Sequence, residues 1–333
     1  MEIVTSNEAK NEATPRHGWF YAGKLALVSL IVLLTLVTLK LLTEHRLAPK
    51  NAGLQGALAQ PRLDLLLIGS SHTRKSYDMR LLERETGISS SFLISYDNAD
   101  LSTMAQMLDT MAATLDRCPR HVVVEAYSAM LGRAPDLQDP RYFLDAPPSL
   151  KLRIIQSYFA NHKSPGGVLD LFDLVVNRGN DEIVSYPVYI HALKMASYKG
   201  GRTDFYFPGM TAEAFRNLQA KLNGTDPDPS QVAALNHILD LAALNHFQVL
   251  FIDTPMPRPV ISDPRIQALK LDFQKLLAAR GAIYIDGDER FPVDDPSLFS
   301  DSNHLSSEGR TEFTHGISGT LKAWVASGSA SAQ

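Results

Sequence analysis

Residues 63–73 read LDLLLIGSSHT, an apolar run closed by a glycine and then a short row of small polar residues. A near-continuous apolar run of this length fits a strand buried on both faces, as in a parallel sheet. Gly69 after it allows a tight strand-to-helix turn. Four further runs of the same kind follow: Phe92–Tyr96 (FLISY), His121–Glu125 (HVVVE), Gln248–Ile252 (QVLFI) and Ala282–Asp286 (AIYID). Helical stripes lie between and after them. The first is Leu101, Met104, Leu108, Met111 and Leu115. The second is Val232, Leu235, Ile238, Leu239 and Ala242, with Ser230 as N-cap. The third has Asp263 as cap, Pro264 at the first helical position, and Leu269, Phe273, Leu276 and Leu277 as its buried face. Phe313, Ile317, Leu321 and Trp324 mark a last helix. Strands alternating with helices predict an α/β domain over residues 62–325. The expected form is a flavodoxin-like, three-layer α/β/α fold with a five-stranded parallel sheet.

Residues 130–228 break this rhythm with aromatics and turn residues (RYFLDAPP, SYPVYIH, TDFYFPG). They read as an insertion near the carboxyl edge of the sheet, placed to act as a lid or to receive a large substrate. Residues 326–333 read as a disordered tail. The chain has 333 residues, enough for two domains of roughly 150 or for one α/β domain carrying such an insertion. With 32 basic and 36 acidic residues the net charge is −4, which argues against a nucleic-acid footprint. At 45% hydrophobic and 20% charged the composition is globular, which excludes a disordered chain. The single cysteine, Cys118, excludes an internal disulfide framework and a CxxC-type zinc site.

A mean hydropathy of −0.08 excludes a polytopic membrane protein. One long apolar run exists, Leu25–Leu39 (LALVSLIVLLTLVTL), between Lys24 and Lys40. Alone it is short for a hydrocarbon core of about 30 Å. Trp19, Phe20 and Tyr21 suit one interface, Leu41 and Leu42 extend the other, and both lysines can snorkel. Residues 19–42 are therefore expected to form one spanning helix, with 1–18 as a short tail and 43–61 as a stalk. A cleaved signal peptide would need a small-x-small site, and KLLTEHRLAPK offers none directly behind Leu39. Lys10, Arg16 and Lys24 before the span balance Lys40, Arg46 and Lys50 after it, so flanking charge does not set its orientation.

In a doubly wound sheet, function gathers at the carboxyl ends of the strands. Gly69-Ser70-Ser71-His72-Thr73 follows the first strand, Asp97-Asn98-Ala99-Asp100 the second and Ala126-Tyr127-Ser128 the third. Asp301-Ser302-Asn303-His304 comes after the last. A serine becomes a nucleophile when a histidine takes its proton and a carboxylate fixes the imidazole tautomer. Asp301 and His304, three apart in one turn, supply both partners, leaving Nε2 to reach Ser71. Taken singly, GSS is an ordinary turn and DxxH an ordinary solvated loop. Their joint position, one after the first strand and one before the last helix, gives them weight.

Here the chain resembles the SGNH (GDSL-like) hydrolase superfamily, whose first block has the form G-D-S and whose last is D-x-x-H. Those blocks read IGSSHT and DSNHLSSEG in this sequence. Ser70 stands where the family has Asp, a replacement also found in its membrane-anchored branches. Those branches include the D-alanyl transfer protein of teichoic acids and the alginate acetylation proteins. The resemblance implies Ser71 as nucleophile, His304 as general base, Asp301 as its orienter and the Ser71 amide as an oxyanion donor. It departs in the middle. The second-block glycine has no clear match in DNADLS, where Asn98 and Ala99 are the nearest oxyanion candidates. The third-block asparagine is absent from EAYSA. The resemblance further implies a periplasmic domain on the bacterial inner membrane, an acylated polysaccharide or acyl donor as substrate, and a membrane acyltransferase as a partner.

Other residues read more plainly. His72 adjoins Ser71, but neighbours on a turn point apart, so it is expected to serve as helix-start polarity. Asp286, Asp288, Glu289, Asp294 and Asp295 lack a cation-ligand spacing and read as a solvated acidic loop. Glu125 is either a catalytic accessory or a strand-end carboxylate held by backbone donors. Cys118, before Pro119 at a helix end, reads as small and semi-buried. His17, His45, His162, His191 and His246 share no metal-ligand spacing, and neither metal nor cofactor is expected. The expected function is acyl-ester hydrolysis or O-acyl transfer on an envelope or exported polysaccharide. The alternative is a non-catalytic envelope-assembly protein that keeps the fold, which the missing asparagine favours.

Overall fold

The computed structural model describes residues 21, 23–32, 34–35, 53–114, 119–133, 146, 150, 153, 197–202, 206–222 and 224–330. Residues 1–47 and 48–333 are separate units. In the first unit, residues 21, 23–32, 34 and 35 are helical with exposed side chains. Among the described residues no helix is long and apolar enough to cross a membrane. The rest of the expected span 19–42, the stalk as far as residue 52, Leu115, Cys118 and most of the 130–228 insertion lie outside the described residues.

The second unit is built on five strands: β1 (Leu65–Gly69), β2 (Ser91–Ser95), β3 (His121–Glu125), β4 (Gln248–Asp253) and β5 (Ile283–Asp286). All pair in parallel, in the order β2-β1-β3-β4-β5. Period-two side-chain alternation gives the sheet two apolar faces. Leu66, Ile68, Val122, Val124 and Phe251 face one layer of helices, α3 (Leu101–Thr114), α4 (Pro229–Asn245) and α5 (Pro264–Ala279). Leu65, Leu67, Val123, Leu250 and Ile252 face the other, which includes α2 (Met79–Thr86) and α6 (Ser307–Ala330). A short helix, α1 (Ser71–Ser76), leads off from β1. The result is a three-layer α/β/α domain with the flavodoxin-like strand order.

Local chemistry sets the helix starts. The α5 cap is Asp263, whose carboxylate accepts the Arg265 N–H at 2.9 Å. The α4 cap is Asp228 rather than the expected Ser230: Pro229 occupies the first turn, and Asp228 accepts the Ser230 N–H at 2.8 Å. A two-stranded ribbon, Ser197–Tyr198 with Gly201–Arg202, lies beside β2. Its turn sends the Lys199 carbonyl to the Leu93 N–H at 2.9 Å, which covers part of an open sheet edge.

The acidic residues after β5 are not a uniformly solvated loop. Asp253, Asp286 and Asp288 converge on Lys270 of α5, whose Nζ lies 2.6 Å from Asp286, 2.6 Å from Asp288 and 3.6 Å from Asp253. Burial and the neighbouring carboxylates push Asp253 well above the usual carboxylate range, despite Lys270. This cluster is the one group of acidic side chains among the described residues spaced to hold a metal ion. The ammonium already lies where such a cation would neutralise it. Asp294 pairs instead with Arg258 at 3.0 Å, and Asp295 caps a short 3₁₀ turn.

Candidate active site

The strand order reverses between β1 and β3, and their carboxyl ends open the crevice where open α/β sheets bind ligands. Gly69 closes β1 against the side chain of Glu125, the last residue of β3. A methyl group at Gly69 would overlap both Thr73 Oγ1 and the Glu125 carboxylate. Glu125 is 2% exposed and accepts four hydrogen bonds. They come from the Ser70 N–H and hydroxyl, both at 2.7 Å, the Thr73 N–H at 3.0 Å and the Thr73 hydroxyl at 2.5 Å. Backbone and side-chain donors together thus hold this carboxylate, and it fixes the turn carrying Ser71. Ser70 also caps α1 by accepting the His72 N–H at 3.2 Å.

His304 arrives from the other end of the domain. Phe299 and Leu305, both buried, form an antiparallel bridge, and the Ser300 N–H donates to the His304 carbonyl at 2.9 Å. This pinch projects the loop between them towards α1. Ser306 Oγ accepts the Gly309 N–H at 3.0 Å at the start of α6, which anchors the far side of the loop.

The two ends meet. Ser71 Oγ lies 2.8 Å from His304 Nε2, and His304 Nδ1 lies 2.9 Å from both Asp301 carboxylate oxygens. Partial burial raises the Asp301 carboxyl, but the His304 hydrogen bond and charge, the Asn303 N–H and Lys75 outweigh it. They hold the group well below the usual carboxylate range. Lys75 Nζ stands 3.5 Å from the carboxylate.

His72 does not point away from this group. It is 5% exposed, stacks on Tyr127 with ring centroids 4.0 Å apart, and lies 4.8 Å from the His304 ring. A helix turns by about 100° per residue, so consecutive side chains at a helix start still reach adjoining parts of one wall. Burial first, and the neighbouring His304 second, push the His72 pKa well below its usual value and keep the ring neutral. Its Nε2 meets the Asn303 side-chain amide at 3.3 Å.

A cleft of about 180 Å³ opens beside Ser71 and His304. Of the expected oxyanion donors, the Ser71 N–H is at the first helical position, where no intrahelical acceptor exists. Ala99 lines the cleft, but its N–H donates to the Tyr96 carbonyl at 3.1 Å and is not free. Asn98 lines it too, in the left-handed region at φ 57°. Tyr127 stands in the wall after β3. Arg133 and Lys221 also line the cleft; both come from irregular segments with no periodic signal to mark them. His246 is remote from this chemistry and ends α4 in the left-handed region, φ 58°.

No family model matches the chain, and no curated protein matches it. Solved structures resemble it at low identity. A protein assigned to the G-D-S-L lipolytic family from Desulfitobacterium hafniense DCB-2 is 10% identical, with a TM-score of 0.39 over 77% of this chain and 98% of that one. A carbohydrate acetylesterase from Sinorhizobium meliloti is 12% identical, with a TM-score of 0.34 over 79% of this chain and 100% of that one. The inhibitor-bound aryl esterase of M. smegmatis is 11% identical, with a TM-score of 0.33 over 78% and 98%. Identities this low leave the site to be read from its own geometry.

Proposed function

We propose that this chain is an acyl-ester hydrolase or O-acyltransferase that works through an acyl-serine intermediate on Ser71. The observation that carries the reading is the path from Ser71 Oγ to His304 Nε2 at 2.8 Å and from His304 Nδ1 to Asp301 at 2.9 Å. With the Nδ1 proton donated to Asp301, Nε2 is the acceptor for the serine hydroxyl. Ser71 Oγ attacks the ester carbon as its proton passes to His304, and the Ser71 N–H faces the developing oxyanion. His304 then returns the proton to the departing alcohol. Water or a sugar hydroxyl, deprotonated by the same imidazole, releases the acyl group. The two outcomes share every residue and differ only in the acceptor. A non-catalytic scaffold would have no use for this alignment.

The pH profile tests the reading. Asp301 is held below the usual carboxylate range and burial keeps His72 from taking up a proton, so neither is expected to lose its working form on mild acidification. The expected kcat/KM for p-nitrophenyl acetate falls with unit slope on the acid limb, the form given by a single base that must be unprotonated. A slope of two would mean that a second group must also be deprotonated, and this assignment would fail.

We read the substrate as an acylated envelope or exported polysaccharide, supplied with acyl groups by a membrane acyltransferase. Residues 19–42 are read as a single inner-membrane anchor with the catalytic domain in the periplasm. The apolar run between Lys24 and Lys40 supports the anchor, as do the exposed apolar side chains of its described helical residues, and the periplasmic side follows from the family resemblance alone. A reporter fused after Gln333 is expected to be active only in its periplasm-sensing form. Activity of the cytoplasm-sensing form alone would remove the envelope assignment and leave the ester chemistry standing.

A further inference from the structure

Among the described residues, two cations line the cleft beside Ser71, Arg133 and Lys221, and no carboxylate does. Three other part-buried cations in this domain are matched by acids: Arg74 by Asp97, Lys75 by Asp301 and Lys270 by its acidic cluster. Among the described residues, Arg133 and Lys221 have no ion-pair partner. Arg133 Nη2 donates to the Asn98 carbonyl, and its Nε is buried without an acceptor. A buried guanidinium nitrogen left unpaired carries a desolvation cost that no acceptor among the described residues offsets. The chain as a whole is acidic, at −4, so a local excess of unpaired positive charge does not follow from composition. The other titratable groups described in the cleft lining are His72, kept neutral, Tyr127, whose phenol burial keeps protonated, and His304, the proposed base.

We infer that the cleft receives an ester whose alcohol part carries an anionic group, a carboxylate or a phosphate, close to the acylated oxygen. Arg133 fixes that anion and Lys221 meets it from the exposed rim. The guanidinium fork suits both anions, since each presents paired oxygens to parallel N–H donors. The inference rests on the acyl-ester reading above and adds the charge of the substrate to it. It also gives the cleft a direction. The acyl carbon stands at Ser71, and the alcohol part extends past Asn98 towards Arg133.

The test compares three substrates on the full-length protein: O-acetylated glucuronic acid, its neutral methyl ester, and an O-acetylated glucose phosphate. At least one anionic ester is expected to exceed the neutral one by about 10–100-fold in kcat/KM, the effect of a charge-assisted hydrogen bond. The better of the two identifies the anion. Arg133→Gln and Lys221→Gln are each expected to bring that ratio towards one, and raised salt to shrink it. Lys221 is exposed, so its substitution reads charge without disturbing the core. Equal turnover of charged and neutral esters would overturn this inference and leave the esterase reading intact. So would a preference that survives both substitutions. Inertness towards all three and towards p-nitrophenyl acetate, with no labelling of Ser71 by a fluorophosphonate, would overturn the two together.

Discussion

Ser71→Ala is expected to lower hydrolysis of p-nitrophenyl acetate by about 10³–10⁶-fold, and His304→Ala to bring it to nearly the same floor. The reason is that neither group works without the other. The hydroxyl is a poor nucleophile until Nε2, 2.8 Å away, accepts its proton, and the imidazole has nothing to activate once the hydroxyl is gone. Their losses therefore do not add, and the double variant should match either single one. Asp301→Ala is expected to cost less, because an imidazole without its partner still reaches the working tautomer part of the time. The ordering of the three variants is the diagnostic. If all of them matched the parent, the hydrolysis would come from another site. If the parent were inert on activated esters while a Ser71→Ala strain still made normally acylated polymer, the non-catalytic scaffold would replace the enzyme.

The next largest effect is expected on stability, from Glu125→Ala. Four donors converge on that buried carboxylate, and alanine would leave the Ser70 and Thr73 amides and hydroxyls without it. Each stranded buried donor costs about 1–3 kcal/mol, and partial relaxation brings the expected loss to about 3–5 kcal/mol. Urea denaturation followed by circular dichroism would measure it. Glu125→Gln should lose less, since its amide oxygen still accepts from one side. An Ala variant as stable as the parent would show that the turn around Ser71 holds its shape by other means.

The five strands were legible because a parallel sheet buries both of its faces, so each strand announces itself as an unbroken apolar run. The observed bounds differ from the expected ones only at the ends, as with Leu65–Gly69 for the run from Leu63 to Ile68. The approach of Ser71, Asp301 and His304 was legible from position, because strand ends in such a sheet share one edge. What was hidden depends on contacts between distant segments. The Lys270 side chain lies on a helix whose stripe shows only its apolar face, so the spacing of Asp286 and Asp288 looked like a solvated loop. Ala99 fell in the right loop, but its N–H went to Tyr96, a choice made by the local turn. Arg133 and Lys221 come from stretches without period, and only folding brings them to the same wall as Ser71.

The proposed nucleophile and its proposed base are separated by 233 positions in the chain. A ribosome adding about 5–20 residues per second makes Ser71 roughly 10–50 s before His304 exists. During that interval the serine is an ordinary alcohol, because the imidazole that activates it has yet to be synthesised. The protein is therefore born silent. Whichever compartment receives the growing chain, no ester can be attacked there until the loop from Ser300 to His304 has folded onto α1. Fragments lacking that loop would remain inert bystanders, however well their first three strands assembled.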